Sequence, residues 1–448
     1  MRARLAATIS AAFLISVVGA GAAAAHDEAG EAYTLPGQDS KAEQYEDVRA
    51  ANANESSNAP KSFAPCVRGK SAGMYPCDGV DMMSNVPLSE LGLSFGNDIW
   101  GWTDSATGDE YALMGGIEGT AFVDISDPKR PVVLGLLPTR STEGGDFWRD
   151  IKVYEDHAYI VSENDGHGMQ VFDLTQLRDV SERTVFTATA VYDGFSSAHN
   201  ININEDTGFG YVIGTDTCEG GLHMVNLSDS ESPQFAGCFQ EHGYIHDTQC
   251  VVYSGPDAEH QGREICFSSN AEIPATGFAD IENRLSIVDV TDKTNPVALS
   301  RTPYENDGYS HQGWLTPDQG TFLHGDELDE LFDEVDATTT RVWDVQDLDA
   351  PFVEGVYSNG TTSIDHNLYT KGNRAFASNY TSGLRVFDTS AAADGQLSEV
   401  GFFDLYPEND NASFEGGTWS NYPYFKKVVA VSSIDRGLFI LKPMGNVG

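Results

Sequence analysis

Apolar and polar positions along this chain alternate in short runs, and helical periodicity is weak. From Asp150 onward the segments DIKVY, HAYIVS, MQVFDL and VFTATAVY follow one another, separated by turn residues. β-Branched and aromatic residues dominate them, which predicts strands. The clearest repeated line is an apolar strand that closes on an acid or amide, often followed by Pro. It reads GTAFVDISDPKRP from Gly119, GMQVFDLTQL from Gly168, GLHMVNLSDSESP from Gly221 and RLSIVDVTDKTNP from Arg284. It recurs as RVWDVQDLDAP from Arg341 and GLRVFDTS from Gly383, and GLFILKP from Gly437 closes the set. The anchors Asp124, Asp173, Asn226, Asp289, Asp344 and Asp388 lie 44 to 63 residues apart. Four short antiparallel strands at that spacing predict propeller blades.

The last unit, from Gly417, holds three strands, and the first complete unit is preceded by an orphan strand, NVPLSELGLSF from Asn85. Pairing the two would close a ring and remove an open sheet edge. The expected fold is all-β: a seven-bladed β-propeller of four-stranded antiparallel blades over residues 66–443, closed by an N-terminal strand that completes the last blade. Residues 444–448 form a short tail. The repeated Asp precedes a Ser/Thr-Asp-Pro turn and is expected to cap it through side-chain-to-backbone bonds.

Composition narrows the setting. Lys and Arg number 26 against 68 Asp and Glu, a formal charge of −42. Such a field repels phosphate backbones and argues against nucleic-acid binding. The first stretch, MRARLAATISAAFLISVVGAGAAAAHDEAG, places two Arg before an apolar run that ends in small residues. It reads as a signal peptide, residues 1–25, cleaved near Ala25/His26. No later segment is long and apolar enough to span a bilayer. Residues 26–65 are polar and acidic and are expected to be a disordered leader.

Six cysteines in an exported chain suggest disulfides. They fall into local pairs: Cys66 with Cys77, Cys218 with Cys238, and Cys250 with Cys266. Local pairing is the most economical of about fifteen connectivities. Thiolate metal ligation is the rival, but CxxC spacing is missing.

The repeats resemble those of the LVIVD-repeat propellers, and the whole ordered chain looks like the bacterial "choice-of-anchor B" family. The resemblance is carried by YPCDGVDMMSNVPLSELG, NDIWGWTDSATGDEYALMG, GTAFVDISDPKRPVVLG, WRDIKVYEDHAYIVSE, GHGMQVFDL, AHNININ and GDELDE. It implies an exported protein of a family whose C-terminal sorting tails vary. This chain ends PMGNVG, without LPxTG, hydrophobic tail or basic terminus. That departs from anchored members and predicts a soluble periplasmic or extracellular protein. No activity follows from the resemblance, so function has to come from the site.

Aligning the starts of the innermost strands gives Asn97-Asp98, Arg149-Asp150, His199-Asn200, His246-Asp247, His311-Gln312, His366-Asn367 and Trp419-Ser420. Four successive blades thus put a histidine at one register, on strands that line the channel. The loops after the second strands, on the same face, carry Glu163, His167, Asp216, Asn270, His324-Gly325-Asp326-Glu327 and Asn379. Imidazoles with carboxylates are ligands for Zn, Mn, Fe or Ni. The candidate metal ligands are therefore His199, His246, His311 and His366, with Asp150, Glu163, Asp216, Asp326 and Glu327 nearby. Ca²⁺ on the acidic run Asp326–Glu330 is a weaker alternative, because the spaced DxDxDG loop is missing. The competing readings are a hydrogen-bonding girdle for the histidines and a solvated surface for the acidic run.

The favoured function is an exported ligand- or metal-binding scaffold that takes a small molecule, glycan or protein at the His-rich channel face. The alternative is a metal-dependent polysaccharide lyase or hydrolase, with Tyr244, Tyr309 or Arg149 as candidate catalytic groups. No GxSxG elbow, P-loop or dinucleotide fingerprint is present. Trp100, Trp102, Trp148, Trp314 and Trp419 cluster near strand starts. They serve blade packing in one reading and sugar stacking in the other.

Overall fold

The alternating runs pair into seven antiparallel sheets arranged as propeller blades. This computed structural model describes residues 41–54, 62–142, 144–272 and 282–448. The proposed signal peptide lies outside those residues, as do residues 26–40 and 55–61 of the proposed leader. The innermost strands of blades 1 to 7 are Gly96–Thr103, Gly144–Tyr154, Asn200–Asn204, Ile245–Val252, Ser310–Leu315, Leu368–Lys371 and Thr418–Tyr422. Each is followed outward by its second, third and fourth strands. Two sheets carry extra strands at their outer edge. Thr184–Val185 adds in parallel to blade 1, and Tyr75–Asp78 with Lys70–Ser71 adds to blade 6.

The ring closes as the unit count predicts. Val80–Val86 pairs antiparallel with Gly437–Pro443 and supplies the fourth strand of blade 7. Its position differs from the expected run beginning at Asn85. Pro87 ends the strand because it offers no N–H to the ladder. Leu88–Leu91 then forms one helical turn, stopped by Gly92 in the left-handed region at φ 84°. Leu88 and Leu91 are buried under blade 1 and blade 7 side chains.

Packing between blades is apolar and interleaved. Phe122 of blade 1 stacks on Phe172 of blade 2 at 4.7 Å, and Phe267 of blade 4 lies 5.9 Å from Phe322 of blade 5. The repeated acid or amide acts alike in six blades. Oδ1 of Asp124, Asp173, Asn226, Asp289, Asp344 and Asp388 accepts the backbone N–H two residues on, at 2.8–2.9 Å. A short acceptor at the strand exit thus forms the same turn each time.

The three local disulfides are present: Cys66–Cys77, Cys218–Cys238 and Cys250–Cys266. The last joins directly paired residues of the two inner strands of blade 4. Among the described residues no helix is long and apolar enough to cross a membrane.

One departure bears on the site. Within the stretch expected to be disordered, Lys41–Asn54 forms a helix, α1, that docks on the propeller. Tyr45 and Val48 are buried, and the Tyr45 ring packs among Phe95, Phe147, Trp148, Phe414 and Trp419.

Candidate functional site

Two of the four histidines sit at bulges in their strands. In blade 4 the ladder passes from Ile245↔Asn270 to Asp247↔Ser269, skipping His246. In blade 5 it passes from Ser310↔Asp326 to Gln312↔Gly325, skipping His311. In blade 7 it skips Trp419. A bulged residue leaves the ladder and is re-aimed. His246 and His311 join His199 and His366, which stand just before their strands, in one row of rings. Ring centroids run His199–His246 4.3 Å, His246–His311 4.2 Å and His311–His366 4.3 Å.

Hydrogen bonds set the tautomers. His246 donates Nδ1–H to the His311 carbonyl at 2.8 Å, and His366 donates Nδ1–H to the Trp419 carbonyl. His199 pairs through Nδ1 with the Glu163 carboxylate. A carbonyl can only accept, so Nε2 of His246 and His366 carries a lone pair. Burial holds His246 and His311 well below the ordinary histidine range, and the charges of neighbouring groups add to this. His366 is lowered to about 4, mainly by burial and against the pull of Glu327. These imidazoles are neutral, the form that ligates metals.

Glu327 is the hub. Its carboxylate lies 3.9 Å from His311 Nε2 and 3.7 Å from His366 Nε2. His311, Glu327 and His366 each offer a ligand atom, all within 4.8 Å of one another. Two further groups reach the same carboxylate. Lys41 of α1 donates from Nζ at 2.7 Å, and the Tyr380 hydroxyl donates at 2.8 Å. Tyr45 continues the chain through its hydroxyl, 2.8 Å from that of Tyr380. Burial would raise the Glu327 carboxyl, but the Lys41 charge and the bonds from Lys41 and Tyr380 hold it below its ordinary value. A cavity of about 20 Å³ remains between Lys41, Arg149, Trp148, Trp419 and the four histidines. That is room for about one water or one ion.

The remaining predicted residues divide. Arg149 lines this cavity; it donates to the Gly116 carbonyl at 3.1 Å and faces His167 Nε2 at 3.1 Å. Asp150 belongs one layer deeper. It accepts from Ile201 N–H at 2.7 Å and Lys152 Nζ at 2.5 Å, in a buried group with Asp98 and Asp247. That layer bonds neighbouring blades to one another through residues that follow Asn97, Arg149 and His246. Asp216 accepts the Ser196 N–H at 2.8 Å and shapes a loop. Asp326 takes four donors, from Tyr304, Gly308, Tyr309 and Leu328.

Tyr309 packs 5.2 Å from His246, and Tyr244 lies 6.4 Å from it. Burial pushes the Tyr309 hydroxyl far above its ordinary value, which opposes a role as base. The acidic run is not solvated surface: Asp326, Glu327 and Asp329 are at most 1% exposed. Trp148 and Trp419 wall the His face. Trp100 and Trp314 stand at the other channel mouth with Tyr422 and Tyr424, around a cavity of about 440 Å³. Sequence reasoning missed Lys41, Tyr45 and Tyr380. The alternation of Lys41, Tyr45 and Val48 at helical spacing was the available signal.

The LVIVD repeat model matches residues 145–166 and 278–302. No curated protein matches the chain. Among solved structures the chain is similar to U3-55K, at 8% identity and a TM-score of 0.51, over 86% of this chain and 100% of that one. It is also similar to the computationally designed Ika8 protein, at 11% identity and 0.47, over 86% and 98%. The β-propeller domain of Cps50 (Swd1) from Myceliophteria thermophila gives 10% identity and 0.45, over 78% and 96%. The first of these supports the propeller fold and, at that identity, nothing beyond it.

Proposed function

We propose that this chain is an exported, choice-of-anchor-B-like propeller that binds a divalent transition metal at its His face, through His311, Glu327 and His366. The observation that carries this is the orientation of the donors. A backbone acceptor holds His366 by Nδ1, so that its Nε2 faces the Glu327 carboxylate, and His311 Nε2 faces it too. Two imidazole nitrogens and a carboxylate suit Zn²⁺ or Fe²⁺, with positions left for further ligands. Outer hydrogen bonds that fix the imidazole are typical of metal ligands. Lys41 supplies the positive charge when no metal is bound, so metal entry and the Lys41–Glu327 pair compete.

Binding is favoured over turnover by two features. Helix α1 covers the face with Tyr45, and Tyr309 holds its proton tightly. A small molecule, glycan or protein would reach the face only after α1 moves. Export is supported by the three disulfides, which persist in oxidising compartments. The test is metal content by ICP-MS, after purification without chelator or affinity nickel and exposure to Zn²⁺. About one metal per chain in the wild type, lost in His311→Ala/His366→Ala, is expected. No metal in either sample refutes the site, and equal metal in both refutes the ligand assignment.

A further inference from the structure

A second group of donors lies apart from the imidazoles and is made of oxygen alone. Asp329 and Glu330 follow the second strand of blade 5, and Asp365 enters blade 6 from the next repeat. Their carboxylates offer three ligand oxygens within 4.8 Å of one another. All three residues are buried: 0% exposed for Asp329, 7% for Glu330 and 4% for Asp365. Both oxygens of Asp365 lack a hydrogen-bond partner among the described residues, while Glu330 meets no donor beyond its contact with Asp329. Asp329 meets Arg341 at 3.0 Å. With Asp326 alongside, one guanidinium faces four carboxyl groups, and Asp326 already spends its oxygens on Tyr304, Gly308, Tyr309 and Leu328.

An unpaired carboxylate at such burial is costly, and three converging ones repel. The backbone also makes room for this convergence. A Cβ on Gly325 would sit 2.2 Å from Asp365 Oδ2, so the glycine lets that carboxylate turn inward. The chain thus brings Asp365 from a neighbouring blade, without any hydrogen-bond donor, against two acids of the blade 5 loop. Hard oxygen donors of excess negative charge select Ca²⁺ over the softer metals that imidazole attracts.

We propose that Asp329, Glu330 and Asp365 bind one Ca²⁺ ion that ties blade 5 to blade 6. This Ca²⁺ site does not rest on the transition-metal reading, although Asp365 adjoins His366 in the chain and feels the charge of Glu327. The ion adds a bridge to the hydrogen bonds that Gln312 and Leu315 of blade 5 already share with Leu368 and Thr370 of blade 6, so it acts as a structural clamp.

The experiment uses the whole exported chain, stripped with chelator and titrated with Ca²⁺ alone, with Mg²⁺ as comparator. Calorimetry reads the stoichiometry, and thermal melting reads the clamp. The expected result is one saturable Ca²⁺ per chain with a rise in melting temperature. Glu330→Gln and Asp365→Asn should each lose both while still taking up Zn²⁺. Absence of a saturable heat and of a melting shift in the wild type would overturn the proposal, whether or not the variants fold. So would unchanged Ca²⁺ binding in both folded variants. A rise in stability in Asp365→Asn, with no Ca²⁺ response in the wild type, would instead mark the three as protonated acids.

Discussion

Replacing Lys41 by Met removes the ammonium from Glu327 and leaves the rest of α1 in place through Tyr45. The pair is buried, with side chains 7% and 2% exposed, and the contact is 2.7 Å. At that distance an effective dielectric of about 20 gives a gross attraction of about 6 kcal/mol. Desolvation of both groups consumes much of it, yet breaking one side of such a pair costs about 3–5 kcal/mol. Glu327 can escape by taking a proton, so the loss at pH 7 should lie near about 3 kcal/mol. The sign follows from the carboxyl. In the wild type its pKa is depressed, so its contribution is present above the unfolded value of about 4.3 and is lost as pH falls through the folded value. In Lys41→Met burial is no longer opposed by the ammonium and the carboxyl rises. That variant therefore loses stability as pH climbs. The difference between the two proteins should be small near pH 4 and grow toward neutrality. Urea unfolding at several pH values, read as a shift in midpoint at constant slope, measures it. Zn²⁺ should then restore Lys41→Met by about 2.7 kcal/mol at a hundredfold excess over its dissociation constant. Equal midpoints at pH 7, or a difference that ignores pH, would refute the role given to Lys41. A variant that ignores Zn²⁺ would separate the ion pair from metal binding.

Two further outcomes follow, one from the buried acids beneath the histidines and one from the repeated turns. Burial raises Asp247 to about 8 against the partial relief given by Lys152. A raised acid favours folding below its unfolded pKa of about 3.9, and that advantage is lost as pH rises through 8. Asp247→Asn should therefore gain on the wild type by up to about 1.4 kcal/mol per pH unit between those limits, seen as diverging urea midpoints. Parallel curves would contradict the assignment. Asp124→Ala and Asp344→Ala each remove one turn acceptor in different blades, at 2.9 Å and 2.8 Å. Each should cost about 0.5–1.5 kcal/mol, and the double variant should show the sum, measured by thermal or urea unfolding.

Much of the site was legible before the fold was. Four histidines followed by amides or acids at one register, His199 to His366, implied convergence, because equivalent repeat positions meet at the axis. The turn role of Asp124 and its counterparts was equally plain, since a short acceptor two residues before an N–H acts locally. Other parts were hidden for identifiable reasons. KAEQYEDVRAANAN is polar nearly throughout, and α1 docks through a few side chains set in an aromatic cage contributed by distant blades. The acidic run looked like solvated surface, because composition does not reveal that blade 6 closes over Asp329 and Glu330. Asp365 drew no notice beside His366, since its meaning depends on which carboxylates face it. The closing strand was displaced toward Val80–Val86 because Pro87 and Gly92 reshaped the segment read as a strand.

What the amino-acid sequence determined by itself is local or periodic: strand alternation, turn acceptors and the repeat that makes seven blades. These follow from bonds and packing between residues near in the chain, copied from unit to unit. The cysteine pairing that the sequence left open was decided by the fold. Only the tertiary structure decided which histidines join a carboxylate, and that Glu327 rather than Asp326 is that carboxylate. It also decided that Lys41 stands against it, and that three acids from two blades share one buried volume. Those are encounters between residues up to 286 positions apart. Bulges and ring closure set their distances, and charge in a dry interior makes those distances matter.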